Sequence, residues 1–241
     1  MSKKDPFLSV VVPVYNESER IENLSTLVEY LDKQIFTSQL IVVNDGSTDD
    51  TLQRLKTLSL PPSSKLVSYR QNRGKGYAIK KGMLAAQGNF LLFTDVDLST
   101  PLEAFNKFLP QLEIYDIIMG SRRIEGAHVL QRQSKVRETL GRGFTYLSNV
   151  VLKLTVSDFT CGFKCFSKSA AEKIFPRMTI DRWGFDSEIL YIAKKQGLFV
   201  KEIPVTWAND PHTKVKFPHD LIRSFTDLIQ IRLNDFRKIY D

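Results

Sequence analysis

The sequence predicts an α/β fold, with a mostly parallel central sheet and helices on both of its faces. The first observation is a series of short apolar runs, several of them β-branched: "LSVVVPVY" (8–15), "LIVVND" (40–45), "KLVSY" (65–69), "FLLFTD" (90–95) and "DIIMGS" (116–121). The second is that a helix-like segment or a loop separates each run from the next. That alternation makes βαβ units, whose crossovers cover both faces of a parallel sheet. A chain of 241 residues with 42% hydrophobic composition can bury a core for one large domain, so residues 1–241 are expected to form a single domain.

The elements follow in order. Helix starts are signalled by Ser18 ahead of Glu19 and Glu22, by "STDD" at Ser47 to Asp50, and by Thr100-Pro101 with Glu103 in the first turn. After Ser121 the pattern becomes basic and partly amphipathic, with apolar residues at helical spacing from Leu140 to Leu154. The last segment sets Leu221, Phe225, Leu228, Ile229 and Ile231 among Arg223, Arg232, Arg237 and Lys238. It predicts a C-terminal basic amphipathic helix that either packs on the core or lies on a membrane.

Charge narrows the partners. A formal net charge of +7 favours an anionic one: a nucleotide, a phosphate, nucleic acid or a membrane surface. The two cysteines, Cys161 and Cys165, lack the companions that a disulfide framework or a zinc site needs, which predicts reduced thiols and a cytoplasmic protein. No apolar run is long enough to span a bilayer, and none near the N-terminus reads as a signal peptide, so the expectation is soluble or peripheral. His128, His212 and His219 have no ligand-like spacing and read as surface or loop residues.

In an open parallel sheet, ligands bind beyond the carboxyl ends of the strands. The five runs end in Glu17, in Asp45, in Arg73 and Lys75 between glycines, in Asp95 and Asp97, and in Arg122 and Arg123. Asp95 and Asp97 leave a buried strand one residue apart. An oxygen-preferring divalent ion can be held by one or both of them and share its other positions with phosphate oxygens, so Mg²⁺ or Mn²⁺ on a diphosphate fits. Gly74 and Gly76 lack the third glycine of a dinucleotide fingerprint and follow the third run instead of the first, which argues against a dehydrogenase. With Lys75 they suit an anionic phosphate at a helix start. Trp183, Phe185 and Trp207 line a pocket or belong to the core.

These motifs, "VVVPVYNE" (10–17), "VVNDGSTDDT" (42–51), "NRGKGYAIKKGM" (72–83), "FTDVDLSTP" (93–101) and "GSRR" (120–123), are joined by "DFTCGFKCF" (158–166), "DRWGFDSEILYIAKKQG" (181–197) and "EIPVTWAND" (202–210). Together they resemble the family 2 glycosyltransferases of GT-A fold, in particular the branch that acts on polyprenyl phosphates, over nearly the whole chain. The resemblance implies a metal-dependent, inverting hexosyltransferase. Residues 1–121 would bind nucleotide sugar and metal, and residues 122–241 the acceptor. Pro13, Tyr15, Glu17 and Asp45 would hold the base and ribose, with Lys75 and Lys214 at the diphosphate. Asp95 would meet the ribose or the metal and Asp97 would be the main metal ligand, with Ser99 close by. Arg122 and Arg137 would bind the acceptor phosphate, although the family's serine four residues after Arg137 is Gly141 here.

The acceptor sets the remaining chemistry. A hydroxyl needs a positioned base, for which "WGFDSE" offers Asp186 or Glu188, whereas a phosphate monoester is already largely dianionic and needs mainly arginines to aim it. The leading expectation is glucose transfer from UDP-glucose to a polyprenyl or dolichyl phosphate at the cytoplasmic membrane face, with the membrane surface and a membrane-protein partner as further partners. GDP-mannose as donor, a glycan hydroxyl as acceptor, and a nucleotide-sugar or nucleic-acid binding module are the alternatives. Intact metal and nucleotide motifs count against a mere binder, and no nucleic-acid partner is expected.

Overall fold

The computed structural model describes residues 5–210 and 219–241, with side chains described throughout except at 219–222. Lys214 and His212, and the side chains of His219 and Leu221, therefore lie outside the described residues. The first half runs β1 (Leu8–Val14), α1 (Asn23–Asp32), β2 (Ser38–Asp45), α2 (Thr51–Thr57), β3 (Lys65–Tyr69), α3 (Lys75–Ala85), β4 (Phe90–Phe93), α4 (Phe105–Phe108) and β5 (Ile117–Ser121). The second half adds β6 (His128–Gln131), α5 (Lys135–Leu152), β7 (Lys164–Ser167), α6 (Lys168–Ile174), α7 (Phe185–Lys195), β8 (Val200–Pro204), β9 (Thr206–Ala208) and α8 (His219–Phe236).

All five expected strands form, and they share one seven-stranded sheet of order β3-β2-β1-β4-β7-β5-β8. Its pairs are parallel except where β7 runs antiparallel between β4 and β5, with Cys165 opposite Leu92 and Ile118. Side chains alternate across the pleat. Val10, Val12, Leu40, Val42 and Leu92 face a core closed by α1, α2 and α4, whereas Val11, Ile41, Val43, Leu91 and Phe93 face the core under α3, α6, α7 and α8. β6 and β9 pair separately as a two-stranded parallel sheet.

One expectation needs correction. The helix after β1 begins at Asn23, not beside Ser18. The Glu17 N–H donates to Thr51 Oγ1 (2.8 Å), and Arg20 bridges Glu17 and Asp210 (2.6 Å to each), so residues 18–22 are pinned to the sheet rim as turns. In the C-terminal helix, Leu228 and Ile231 are buried and Phe225 packs on the core, but Ile229 points to solvent. The helix packs on the core with one face and leaves an apolar outer edge free. Both cysteines are free and buried, and burial pushes their thiols up, Cys161 to about 11.

Candidate functional site

The sheet delivers its charged strand ends to one rim. β4 stops at Phe93, and the chain then turns through Thr94 to Thr100. Leu98 takes a positive φ of 50°, while the Ser99 N–H donates to Asp97 Oδ1 at 2.9 Å. A cleft opens there, lined by Thr94, Asp95, Asp97, Ser99, Gly162 and Trp207. The Ala208 N–H donates to the Ser99 carbonyl at 2.9 Å, which ties β9 and Trp207 to this rim.

Asp95 and Asp97 meet there, as the spacing implied. Burial and the neighbouring Asp95 carboxylate both push Asp97 above the usual carboxylate range. Lys75, at the first turn of α3, places Nζ 2.6 Å from Asp95 Oδ1 and 5.9 Å from the Trp183 ring centroid. Burial works against the Lys75 ammonium, but Asp95, Asp186 and Asp97 outweigh it and hold its pKa above the ordinary lysine value. Gly162 fits against Asp95 because it has no side chain: a Cβ there would overlap Asp95 Oδ2.

Asp45 is nearly fully buried and turned inward. Its carboxylate accepts from the backbone N–H groups of Arg73 and Gly74 and from Asn72 Nδ2, each at 2.8 Å, so it holds the glycine loop that starts α3. Gly74, at φ 116°, and Gly76 lie against the backbone of residues 180–182, where a Cβ would collide. Pro13 and Tyr15 are half-buried at the end of β1, and Glu17 is held by Arg20.

Arg122 leaves β5 into a buried clamp. Its Nε and Nη2 donate to the two oxygens of Asp158 at 2.7 Å each, its backbone N–H adds a third bond to that carboxylate (3.0 Å), and Nη2 also reaches Thr160 Oγ1 (2.8 Å). The guanidinium lies 5.0 Å from the Trp207 ring centroid, which brings it beside the Asp97 cleft. Arg137 sits in the first turn of α5, where its backbone N–H donates to the capping Ser134 Oγ (3.4 Å). It is not part of the cleft lining, and among the described residues its guanidinium has no protein partner.

The two candidate bases separate clearly. Asp186, in the first turn of α7, accepts from Lys164 Nζ at 2.5 Å and stands within electrostatic reach of Lys75 and Asp95; burial pushes its carboxyl up, against the pull of both lysines. Glu188 is fully buried and accepts from the Thr179 N–H (2.9 Å), Thr179 Oγ1 (2.6 Å), the Ile180 N–H (2.9 Å) and the Tyr240 hydroxyl (2.7 Å). Four donors engage it, so it ties residues 179–180 to the C-terminus instead of opening to the cleft. Trp183 and Trp207 stand at the site, whereas Phe185 belongs to the core against Phe93.

Sequence reasoning assigned no role to Asp158, Thr160, Gly162 or Lys164. A signal existed: "FKCF" places a lysine inside a buried run, and a fully buried lysine requires a partner.

Residues 9–175 match the profile of Glycosyl transferase family 2. The chain belongs to that family. Family members most like it include a dolichyl-phosphate beta-glucosyltransferase of Trichomonas vaginalis, 35% identical over 96% of this chain and 72% of the relative. Proteins of the same name from Dictyostelium discoideum (33% identical, 94% of this chain, 74% of the relative) and Homo sapiens (35%, 94% and 75%) match comparably. Among solved structures, glucosyl-3-phosphoglycerate synthase from Mycobacterium tuberculosis, crystallised with Mn²⁺, UDP and glucosyl-3-phosphoglycerate, superimposes with a TM-score of 0.68. At 20% identity over 95% of this chain and 79% of that one, the likeness establishes the fold, which is the expected GT-A architecture. This family 2 member is thus a glycosyltransferase.

Proposed function

We propose that the chain transfers glucose from UDP-glucose to a dolichyl or other polyprenyl phosphate, with inversion, and that residues 1–241 work as one unit. The observation that carries this is the cleft in which Asp95 and Asp97 meet Trp207, with the Arg122 guanidinium against that ring. The names of the 33–35% identical relatives support the sugar and the acceptor.

The site residues fit a divalent ion. Two neighbouring carboxylates that repel each other, with Ser99 beside them, form an oxygen set suited to Mg²⁺ or Mn²⁺. Among the described residues no three His, Cys, Asp or Glu side chains gather to hold a metal by themselves, so diphosphate oxygens would complete its shell. Asp97 would be the principal ligand, with Asp95 and Ser99 supporting it. Such an ion, when bound, supplies positive charge to the departing diphosphate.

The protein's own groups do the rest. Lys75, kept cationic by three carboxylates, adds charge beside the diphosphate, and Asp45 acts on the nucleotide through the 72–74 loop that it holds. Pro13, Tyr15 and Glu17 border the base and ribose. Arg122, aimed by Asp158, and Arg137 on α5 direct the acceptor phosphate. One phosphate oxygen attacks the anomeric carbon as its bond to UDP breaks, and UDP leaves. Because a phosphate monoester is mostly dianionic near neutral pH, with a second pKa of about 6, it needs little help from a base; Asp186 takes the proton of the remaining monoanion.

A membrane surface belongs to the same proposal. No helix among the described residues is long and apolar enough to cross a bilayer. However, α5 and α8 pack together through Phe144 and Phe225 (5.9 Å) and expose Val136, Tyr146, Leu147 and Val150 on one helix and Ile229, Leu233 and Phe236 on the other. Lys135, Arg137, Arg142, Arg237 and Lys238 accompany them, as expected for docking on anionic lipid at the cytoplasmic face.

Product analysis tests the reading. Purified protein is given UDP-glucose or GDP-mannose with a short polyprenyl phosphate or a glycan hydroxyl acceptor. Glucosyl-phosphate-lipid from UDP-glucose alone is expected; a mannosylated lipid or a glycosylated hydroxyl would overturn it.

A further inference from the structure

Among the described residues, Lys164 is the lysine whose side chain is fully buried. It stands in β7, the antiparallel strand between β4 and β5, with Phe93 on one side, 5.3 Å from its ammonium to the ring centroid. An ammonium has three donors, and here each has an acceptor: Asp186 Oδ1 (2.5 Å), the Cys161 carbonyl (2.6 Å) and the Phe159 carbonyl (2.9 Å). Stability alone does not call for this arrangement, because well-packed apolar residues replace a buried ion pair at little cost or with a gain. The reason is to be sought in what the three acceptors hold.

The two carbonyl acceptors adjoin residues that shape the cleft. Cys161 precedes Gly162, the residue packed on the Asp95 carboxylate. Phe159 lies between Asp158 and Thr160, the two side chains that clamp Arg122. The same turn is held from its other side by Glu202, which accepts from the Ser157 and Asp158 N–H groups at 2.9 and 3.0 Å. The turn carbonyls thus fix the ammonium from the Arg122 and Asp95 side, and the ammonium fixes Asp186.

We infer that Lys164 is a positioning residue for glycosyl transfer: it sets the Asp186 carboxylate in register with Asp95 and Arg122, and acts through Asp186 without touching substrate. The inference rests on the proposed function for the identity of the reaction, and on geometry for the coupling.

A double-mutant cycle tests it. Lys164→Met, Asp186→Asn and the double variant are compared with wild type in transfer, with UDP affinity measured by calorimetry and folding by thermal unfolding. A displaced carboxylate acts on turnover more than on donor binding. Lys164→Met is therefore expected to lower kcat about tenfold or more while donor KM and UDP affinity stay within about threefold. The double variant is expected to match Asp186→Asn alone.

The inference is overturned if Lys164→Met keeps near wild-type kcat, if Asp186→Asn is fully active, or if the two losses multiply in the double variant. Should Lys164→Met fail to fold because Asp186 is left buried and unpaired, the double variant, which has neither charge, decides by the same comparison with Asp186→Asn. Wild-type transfer to a hydroxyl or to water instead of a polyprenyl phosphate would sink the acceptor reading, and the same four proteins would then be compared in that reaction.

Discussion

Gly162 shows how little room the site leaves. Its Cα lies where any side chain would strike the Asp95 carboxylate, and the preceding residue is held by Lys164. Gly162→Ala is therefore expected to displace Asp95 and cut kcat about hundredfold, with thermal stability nearly unchanged; kinetics and an unfolding scan on one preparation check this. Asp158 carries a different prediction. Burial pushes its carboxyl up, but the Arg122 guanidinium, with help from Arg123, outweighs burial and holds it below the usual carboxylate range. A depressed native pKa adds stability that is present above the unfolded value of about 3.9 and is lost as pH falls through the native one. Asp158→Asn leaves Arg122 buried without its counter-charge, so it is expected to cost about 3–5 kcal/mol near neutral pH. The gap from wild type should narrow below about pH 4. Denaturant unfolding of both proteins at neutral and acid pH reads the difference.

The elements show what periodicity reveals and what it conceals. Of the six parallel strands in the large sheet, β1 to β5 were legible because each carries a β-branched or aliphatic run, whereas β8, with Lys201 and Glu202 inside it, was not read. β7 was not read as a strand, since "KCFS" is only four residues long and its lysine breaks the apolar pattern; the partners that make the lysine tolerable are distant in sequence. The same limit explains Glu188. Sequence placed it beside Asp186 in one motif, but two residues apart on a helix point about 200° apart, so Asp186 reaches Lys164 while Glu188 meets Thr179 and Tyr240. α8 was legible as amphipathic, but not how its apolar residues divide between core and surface. Leu228 and Ile231 enter the core, and Asn234 Nδ2 donates to Thr179 Oγ1 (2.7 Å), while Ile229, Leu233 and Phe236 remain exposed. Leu147→Glu combined with Phe236→Glu should leave folding intact and abolish flotation with anionic vesicles at low salt. Unchanged flotation would remove the docking face from the account.

At the scale of the molecule, the antiparallel β7 decides the architecture. It joins the parallel strands of the first half to β5 and β8, and the turn before it carries Asp158 and Gly162 to the rim where Asp95 and Asp97 emerge. Residues of both halves thus meet around one cleft: Asp95 and Asp97 from the first and Gly162 and Trp207 from the second line it, with Lys75 and Asp186 close to Asp95. Arg122 is held beside the cleft by Asp158 and the Trp207 ring, and Arg137 stands on a neighbouring helix; such distances no one-dimensional motif contains. In the proposed reaction this cleft passes glucose from UDP to a lipid phosphate. Its most direct test is UDP release from UDP-glucose by purified protein with Mg²⁺ or Mn²⁺, with and without a short polyprenyl phosphate, alongside Asp97→Ala. Release that depends on the lipid phosphate and falls about a thousandfold in the variant is expected. Release indifferent to the lipid phosphate, or undiminished in Asp97→Ala, would contradict the proposed reaction.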